Sequence, residues 1–246
     1  MIVSQEIWII LQGAIAVSNT IDANTLGECW LKCINTVIKK GSIFYDEDVK
    51  IKEILGLQIK ISSPNTSDEI ISKFGDQEVI LHTLKKFSKG IVMENRPFTY
   101  GDLIYNKNGV DQFEWLVDRL NKKKETKSAT ICLLKEGAID NNLPCLTTID
   151  AKIRDGRLNL QFFFRSQNVF GRQYANLLAI AKFQADLASR LLVKVGFIAG
   201  YIASAHIYEY DFEMANLICQ GNDVVIKDNF YSYGPKSIRK NLKFRS

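Results

Sequence analysis

Residues 144–166 read PCLTTIDAKIRDGRLNLQFFFRS, and this stretch decides the fold. Asp155-Gly156 in its middle is a two-residue hairpin signal, because both residue types tolerate the left-handed backbone that a tight turn requires. The flanking runs Leu146–Arg154 and Leu158–Arg165 then read as two antiparallel strands. Along the second, Leu158, Leu160, Phe162 and Phe164 face one way, and Asn159, Gln161, Phe163 and Arg165 face the other. Pro144-Cys145 and Arg165-Ser166 lie at the outer ends of the two strands, so they can converge if the hairpin brings those ends close.

Working outward, Leu26–Lys39 has helical spacing, with Leu26, Trp30, Cys33, Ile34 and Val37 on one side. Thr25 can cap it, with Glu28 three residues on as a capping box, and Gly41 stops it. Leu57–Ser62 alternates like a half-buried strand. Asp76–Phe87, closed by Gly90, and Val110–Asn121 read as helices, and Ala129–Leu134 reads as a short strand. Beyond the hairpin, the pattern predicts a long buried helix over Tyr174–Leu192 and an apolar strand over Val195–Ala205 that runs on to deliver His206 and Tyr208. Helices mixed with antiparallel strands make the fold class α+β. There is no repeat, low-complexity tract or Pro/Gly linker in the 246 residues, so one domain is expected, its tail from about residue 235 loosely attached.

Composition bounds the partners. The net charge is +5, and the basic clusters are Lys122-Lys123-Lys124 and Lys236–Arg245. Such runs are ordinarily solvated faces. They lack the aromatic interleaving of a nucleic-acid platform, whereas mild positive charge suits an anionic small substrate. No apolar run reaches the ~18 residues of a membrane span. Ile7–Val17 is apolar but short, without a preceding basic stretch, and reads as part of the fold rather than a signal peptide. Five cysteines, an odd number, fit reduced thiols in a cytoplasm.

Few residues carry chemistry. Cys145 is the candidate nucleophile; its reactive form is the thiolate, which the Arg165 charge would favour. Cys29, Cys33, Cys132 and Cys219 each sit in or beside an apolar pattern and read as inert. Cys29 and Cys33 lie four apart on a helix, but no second Cys/His pair has ligand spacing, and His82 and His206 are isolated, so no metal site is expected. Arg165-Ser166 at a strand end can hold a phosphate, or be a surface ion pair. Asn176, amid Ala and Leu in a helix, either bonds backbone or offers a donor and an acceptor to a pyrimidine edge. His206 and Tyr208, two apart on a strand, point the same way; they can hold sugar hydroxyls or merely close the sheet. There is no GxGxxG, P-loop or GxSxG motif.

Taken in order, these residues resemble the thymidylate synthase and pyrimidine-nucleotide hydroxymethylase superfamily, in particular its compact, archaeal-type members. The resemblance runs through Leu143-Pro144-Cys145, Ile153–Leu158, Phe163-Phe164-Arg165-Ser166, Tyr174-Ala175-Asn176 and Ser204–Glu209, with a looser match at Thr25–Glu28, Trp30, Phe98–Gly101 and Val110-Asp111-Gln112. It implies a mixed sheet flanked by helices and a homodimer with sheets back to back. It also implies one-carbon transfer to C5 of a pyrimidine nucleoside monophosphate such as dUMP, from 5,10-methylenetetrahydrofolate, as methyl or hydroxymethyl. Cys145 would add to C6. Arg165 and Ser166 would hold the phosphate, Asn176 the base edge, and His206 with Tyr208 the ribose. Tyr100 would stand in the active-site wall, with Glu94, or else Glu78, as the catalytic glutamate. An amide at Asn176 suits uracil; cytosine stays open.

The chain also departs from the family pattern. Where two adjacent arginines usually reach the partner subunit's phosphate, it reads Glu125-Thr126-Lys127-Ser128, so Lys127 keeps one charge without the bidentate fork. The usual Arg-Ser-x-Asp ends here in Asn168, a change on the folate side of the substrate site. Asp150 replaces a glutamine, and Leu146 a histidine. The bland alternative is a nucleotide-binding homologue that has lost catalysis.

Overall fold

The computed structural model describes residues 19–93, 98–134 and 143–222. Glu94, the Ile7–Val17 stretch and the Lys236–Arg245 tail lie outside the described residues. In chain order the elements begin with β1 (Thr20–Ala23), α1 (Leu26–Lys40), β2 (Ser42–Asp46), β3 (Val49–Ile61), α2 (Glu69–Phe74), α3 (Gln77–Phe87), α4 (Tyr100–Tyr105) and α5 (Gln112–Lys122). They continue with β4 (Thr130–Cys132), β5 (Leu146–Arg154), β6 (Arg157–Phe164), β7 (Gln167–Asn168), α6 (Gln173–Arg190), β8 (Lys194–Tyr208) and, after a 3₁₀ turn, α7 (Phe212–Cys219). The strands form one mixed sheet in the order β1-β3-β8-β6-β5-β4, with β2 paired to β3 and β7 to β8. The fold is α+β, as expected.

The hairpin forms as its turn residues dictate. Asp155 and Gly156 both have positive φ, 51° and 68°, and Arg154 pairs with Arg157 across them. Two successive positive φ values match the right-handed twist of the strands they join. The register slips between Leu146 and Thr148, a bulge directly after Cys145. Beyond the hairpin, β6 runs parallel to β8, and β8 runs antiparallel to β3. The longest strand therefore lies in the middle of the sheet.

Helices cover one face. Leu57, Ile59 and Ile61 of β3, Leu158, Leu160, Phe162 and Phe164 of β6, and Ile149, Ala151 and Ile153 of β5 are buried in a continuous core. Trp30 of α1 ties layers together. Its Nε1–H donates to Val169 O at 3.0 Å, and its ring packs 4.6 Å from that of Tyr174. Gly27 permits a close approach, since a Cβ there would fall 2.4 Å from Asp68 Oδ1. Asp68 uses that proximity to accept from Gly27 N at 2.8 Å while capping α2 at Ile71 N. The α1 capping box is half formed: Thr25 accepts from Glu28 N, but the Glu28 carboxylate reaches Asn24 N at 2.7 Å instead of its cap.

Two differences from the sequence reading have clear causes. Strand β3 begins at Val49, well before Leu57, because Gly56 (φ 71°) turns the strand over and breaks the alternation. Ile54 and Leu57, three apart, are both buried, while Leu55 between them is exposed. Helix α2 carries a single buried residue, Ile71, too little for an apolar period. The other sheet face stays uncovered over Leu55, Phe163 and Tyr201, which are 66%, 38% and 39% exposed. Among the described residues no helix is long and apolar enough to cross a membrane.

Candidate functional site

Cys145 stands at the mouth of β5, half-buried, with its strand end held from two sides. Arg165 N donates to Cys145 O at 2.9 Å, continuing the hairpin pairing past Phe164. From the other side Tyr100 Oη accepts the N–H groups of both Cys145 and Leu146, at 3.1 Å each. Tyr100 opens α4, whose start is fixed by a complete capping box between Thr99 and Asp102. Its ring packs 4.6 Å from that of Phe87. Enclosure of the hydroxyl, reinforced by the nearby Cys145, pushes the Tyr100 phenol well above its ordinary range. It is a neutral phenol at neutral pH, and its oxygen serves as an acceptor.

Arg165 is oriented by the same segment. Nε donates to Pro144 O at 3.2 Å and Nη2 to Leu143 O at 2.8 Å. Two of the five guanidinium N–H groups are thus used to aim the side chain, leaving three for a ligand. Ser166 follows it in the turn into β7. There Gln167 and Asn168 pair in parallel with Ala205 and His206 of β8, which carries the residues after Arg165 straight to the His206 end of β8. Asn176, in the first turns of α6, donates to Gln167 Oε1 at 3.5 Å. Asn168 Oδ1 accepts from Gly171 N at 2.9 Å, and its Nδ2 is buried without a partner among the described residues.

At the far side Ser204, His206 and Tyr208 alternate along β8. Glu53 of β3 lies opposite His206 in the register, and Ser204 Oγ donates to Glu53 Oε1. His206 Nδ1 is 3.4 Å from Ser204 Oγ. The Tyr208 hydroxyl donates to Asp46 Oδ2 at 2.7 Å. Burial lowers the proton affinity of His206 against the opposing pull of Asp46 and Glu53, so the ring is neutral. Burial and then the Asp46 carboxylate push the Tyr208 phenol far above its ordinary range.

The structure therefore brings Cys145, Tyr100, Arg165, Ser166, Asn168, Asn176, His206 and Tyr208 to one end of the sheet. It does not bring Lys127 there. That residue is exposed between α5 and β4, and Thr130 of β4 pairs with Asp150. Five residues of strand, roughly 17 Å, separate Asp150 from Cys145. Lys127 has no hydrogen-bond or ion-pair partner among the described residues. Asp150 is bonded to Lys152 and Thr130 on the open sheet face. Glu78, the lesser glutamate candidate, is exposed in the first turn of α3, roughly 14 Å along the helix from Phe87.

Asp46, Glu53, Ser204 and Gln167 escaped the sequence reading. Ser204 shares the parity of His206 and Tyr208 and was open to detection. Glu53 meets His206 only through the β3–β8 register, some 150 positions apart, and Asp46 meets Tyr208 through the additional β2–β3 pairing.

Comparison with known proteins identifies the family. The family model described as thymidylate synthase matches residues 19–223. A Methanosarcina mazei protein, provisionally named as a thymidylate synthase, is 28% identical over 216 residues, covering 86% of this chain and 99% of that one. A second with the same provisional name, from Methanothermobacter thermautotrophicus, is 27% identical over 213 residues, covering 80% and 96%. The thymidylate synthase of Mesoplasma florum is 26% identical over 186 residues, covering 70% and 63%. With most of its length matched by the family model, the chain belongs to the thymidylate synthase family.

Proposed function

We propose that the protein transfers a one-carbon unit to C5 of a pyrimidine nucleoside monophosphate through a covalent bond between Cys145 and C6. The observation that carries this reading is the convergence of the half-buried Cys145 with Arg165, Asn176, His206 and Tyr208. These four are chemically distinct groups matched to a phosphate, a base edge and a sugar. The Cys145 thiolate adds to C6, and the C5–C6 electron pair moves toward the C4 substituent. C5 becomes an enolate-like carbon nucleophile, which an unmodified pyrimidine does not offer. Arg165 presents its remaining N–H groups to the phosphate, with Ser166 beside it. The Asn176 carboxamide reads the base edge, and a uracil N3–H with its 4-oxo group fits. Tyr100 holds the strand end that carries the nucleophile. Glu94 remains the candidate glutamate for proton handling at C5. Attack of C5 on an electrophilic methylene, with loss of the C5 proton and of the methylene's carrier, leaves an exocyclic methylene. Adding hydride or water-derived hydroxide to it while the Cys145 thiolate is expelled gives a 5-methyl or a 5-hydroxymethyl nucleotide.

The family's one-carbon donor is methylenetetrahydrofolate, and at Asn168 the residues do not fit it. A carboxylate there would accept from a pterin N–H. Here Oδ1 already takes Gly171 N–H, and the buried Nδ2 is a donor that calls for an acceptor. This observation favours a second reading, a nucleotide-binding homologue altered in the transfer step.

The active unit is a homodimer with sheets packed back to back. Its support is the uncovered face on which Phe163 and Tyr201 stack at 5.4 Å beside the exposed Leu55. In that arrangement Lys127 reaches the partner's phosphate site.

The test is exchange of the C5 hydrogen in D₂O, followed by proton NMR with UMP, dUMP, CMP and dCMP. Addition of Cys145 to C6, deuteration at C5, loss of the original hydrogen and expulsion of the thiolate give net exchange without a carbon donor. Exchange with the wild type and none with Cys145→Ser supports the nucleophile. Silence with all four nucleotides would sink the reading.

A further inference from the structure

Gln167 on β7 is 3% exposed, a polar side chain taken fully into the fold. A buried carboxamide has to satisfy its donor end and its acceptor end separately. Its Nε2 donates to the backbone O of Asn168 at 3.4 Å, and its Oε1 accepts from Asn176 Nδ2 at 3.5 Å. The order of these two contacts is forced. A backbone carbonyl can only accept, so the amine end of Gln167 faces Asn168. That carbonyl is held in place, because it also accepts from Arg172 N at 3.2 Å in the turn into α6. Gly171 N pins the same turn by donating to Asn168 Oδ1. The oxygen end of Gln167 is then left for Asn176, which must present its Nδ2. Both contacts are long for hydrogen bonds, and they act chiefly by what they forbid. Turning the Asn176 amide over would set Oδ1 against Oε1, two acceptors with no proton between them. Turning Gln167 with it would set Oε1 against the Asn168 carbonyl.

Uracil and cytosine differ in the polarity of one edge. From C4 to N3 uracil carries an acceptor and then a donor, and cytosine a donor and then an acceptor. A carboxamide free to turn pairs with either. One held in a single orientation pairs with one base, and against the other it opposes donor to donor and acceptor to acceptor. Asn176 is half-buried, and its Oδ1 has no partner among the described residues. We propose that Gln167 is a positioning residue that holds the Asn176 amide in the orientation a uracil needs, so that cytosine is refused by Gln167 acting through Asn176 and not by Asn176 alone. The proposal rests on the nucleotide reading of the site and adds the choice of base to it.

The experiment is calorimetric titration of the full chain with UMP against CMP and dUMP against dCMP, in the wild type, Gln167→Met and Gln167→Glu. To take cytosine the wild type must give up the Gln167 contact and set two oxygens face to face. That is worth on the order of tenfold in Kd, and it is the expected preference for uracil at either sugar. Methionine keeps the volume and removes both polar ends, so the Asn176 amide can turn. In Gln167→Met the cytosine nucleotides should gain affinity, and the ratio should fall to within about twofold. Glutamate keeps an oxygen opposite Asn176, so in Gln167→Glu the ratio should persist. A general loss of folding weakens every nucleotide and cannot strengthen cytosine binding, so the gain separates positioning from structure. Wild-type binding of cytosine as tight as that of uracil overturns the proposal and leaves the nucleotide reading standing. A ratio unmoved in Gln167→Met, or lost as fully in Gln167→Glu, overturns the role of Gln167 as an orienting group. Failure of all four nucleotides to bind the wild type overturns the nucleotide reading, and the base assignment with it.

Discussion

Replacing Tyr100 by phenylalanine removes one oxygen and strands two backbone N–H groups, those of Cys145 and Leu146. Each buried N–H deprived of its acceptor costs about 1–3 kcal/mol, so the pair is worth about 2–6 kcal/mol. The Tyr100 ring is half-buried, and water can recover part of the loss, which places the expected destabilisation at about 2–3 kcal/mol. For a chain of this length that lowers Tm by about 4–12 °C. Urea unfolding followed by circular dichroism measures it, with Tyr45→Phe as the control. Tyr45 on β2 is 67% exposed, and removal of its hydroxyl should change stability by less than about 0.5 kcal/mol. Because the two stranded groups belong to the residue carrying the thiol and its neighbour, C5 exchange should slow in Tyr100→Phe more than nucleotide Kd weakens. A Tyr100→Phe protein as stable as Tyr45→Phe would show that this hydroxyl does not anchor the β5 entrance.

Other outcomes follow from the same geometry. Lys127→Ala should raise the nucleotide KM several-fold with Tm unchanged; an unchanged KM would show that no phosphate is reached from across the dimer. Leu55→Asp places a charge on the uncovered face and should convert a dimer to a monomer in analytical ultracentrifugation, and an unaltered sedimentation coefficient would move the interface elsewhere. His206 has its folded-state proton affinity lowered by burial, so the unfolded chain binds the extra proton first. Its contribution to stability is present above the unfolded value near 6.5 and is lost as pH falls from there toward the folded value. Urea midpoints of the wild type should therefore drop on going from pH 7.5 to 5.0 more than those of His206→Asn; equal drops would assign the acid sensitivity to other groups.

The hairpin was legible because its signals are local. Asp155-Gly156 announces its own backbone, and the alternation of β6 carries through to Arg165. The α1 apolar stripe and the α6 helix were equally clear. What escaped depended on distant pairing or on interrupted periods. Gly56 turned β3 over and hid its first half, and α2 buries too little to show a stripe. At the candidate site, Cys145, Arg165, Asn176, His206 and Tyr208 were picked out by type and order along the chain. Their supports were not, since Asp46 reaches Tyr208 across 162 positions. The contact of Tyr100 with two backbone N–H groups was also not legible, because no side-chain pattern reveals that a phenol oxygen will accept from both.

The central place of β8 has a consequence for how the molecule comes into being. β3 and β6 both take β8 as their neighbour, yet β8 is made last of the three. As the chain leaves the ribosome, β3 waits through more than 130 residues with an unpaired edge, and the β5–β6 hairpin waits with another. Neither can join the other, because the strand between them does not yet exist. Cooperative assembly must then follow synthesis of Tyr208, and closure over so long a separation is slow. Until that moment two strand edges stand open to pairing with other chains, so the risk of misassociation grows with the time the sheet takes to close.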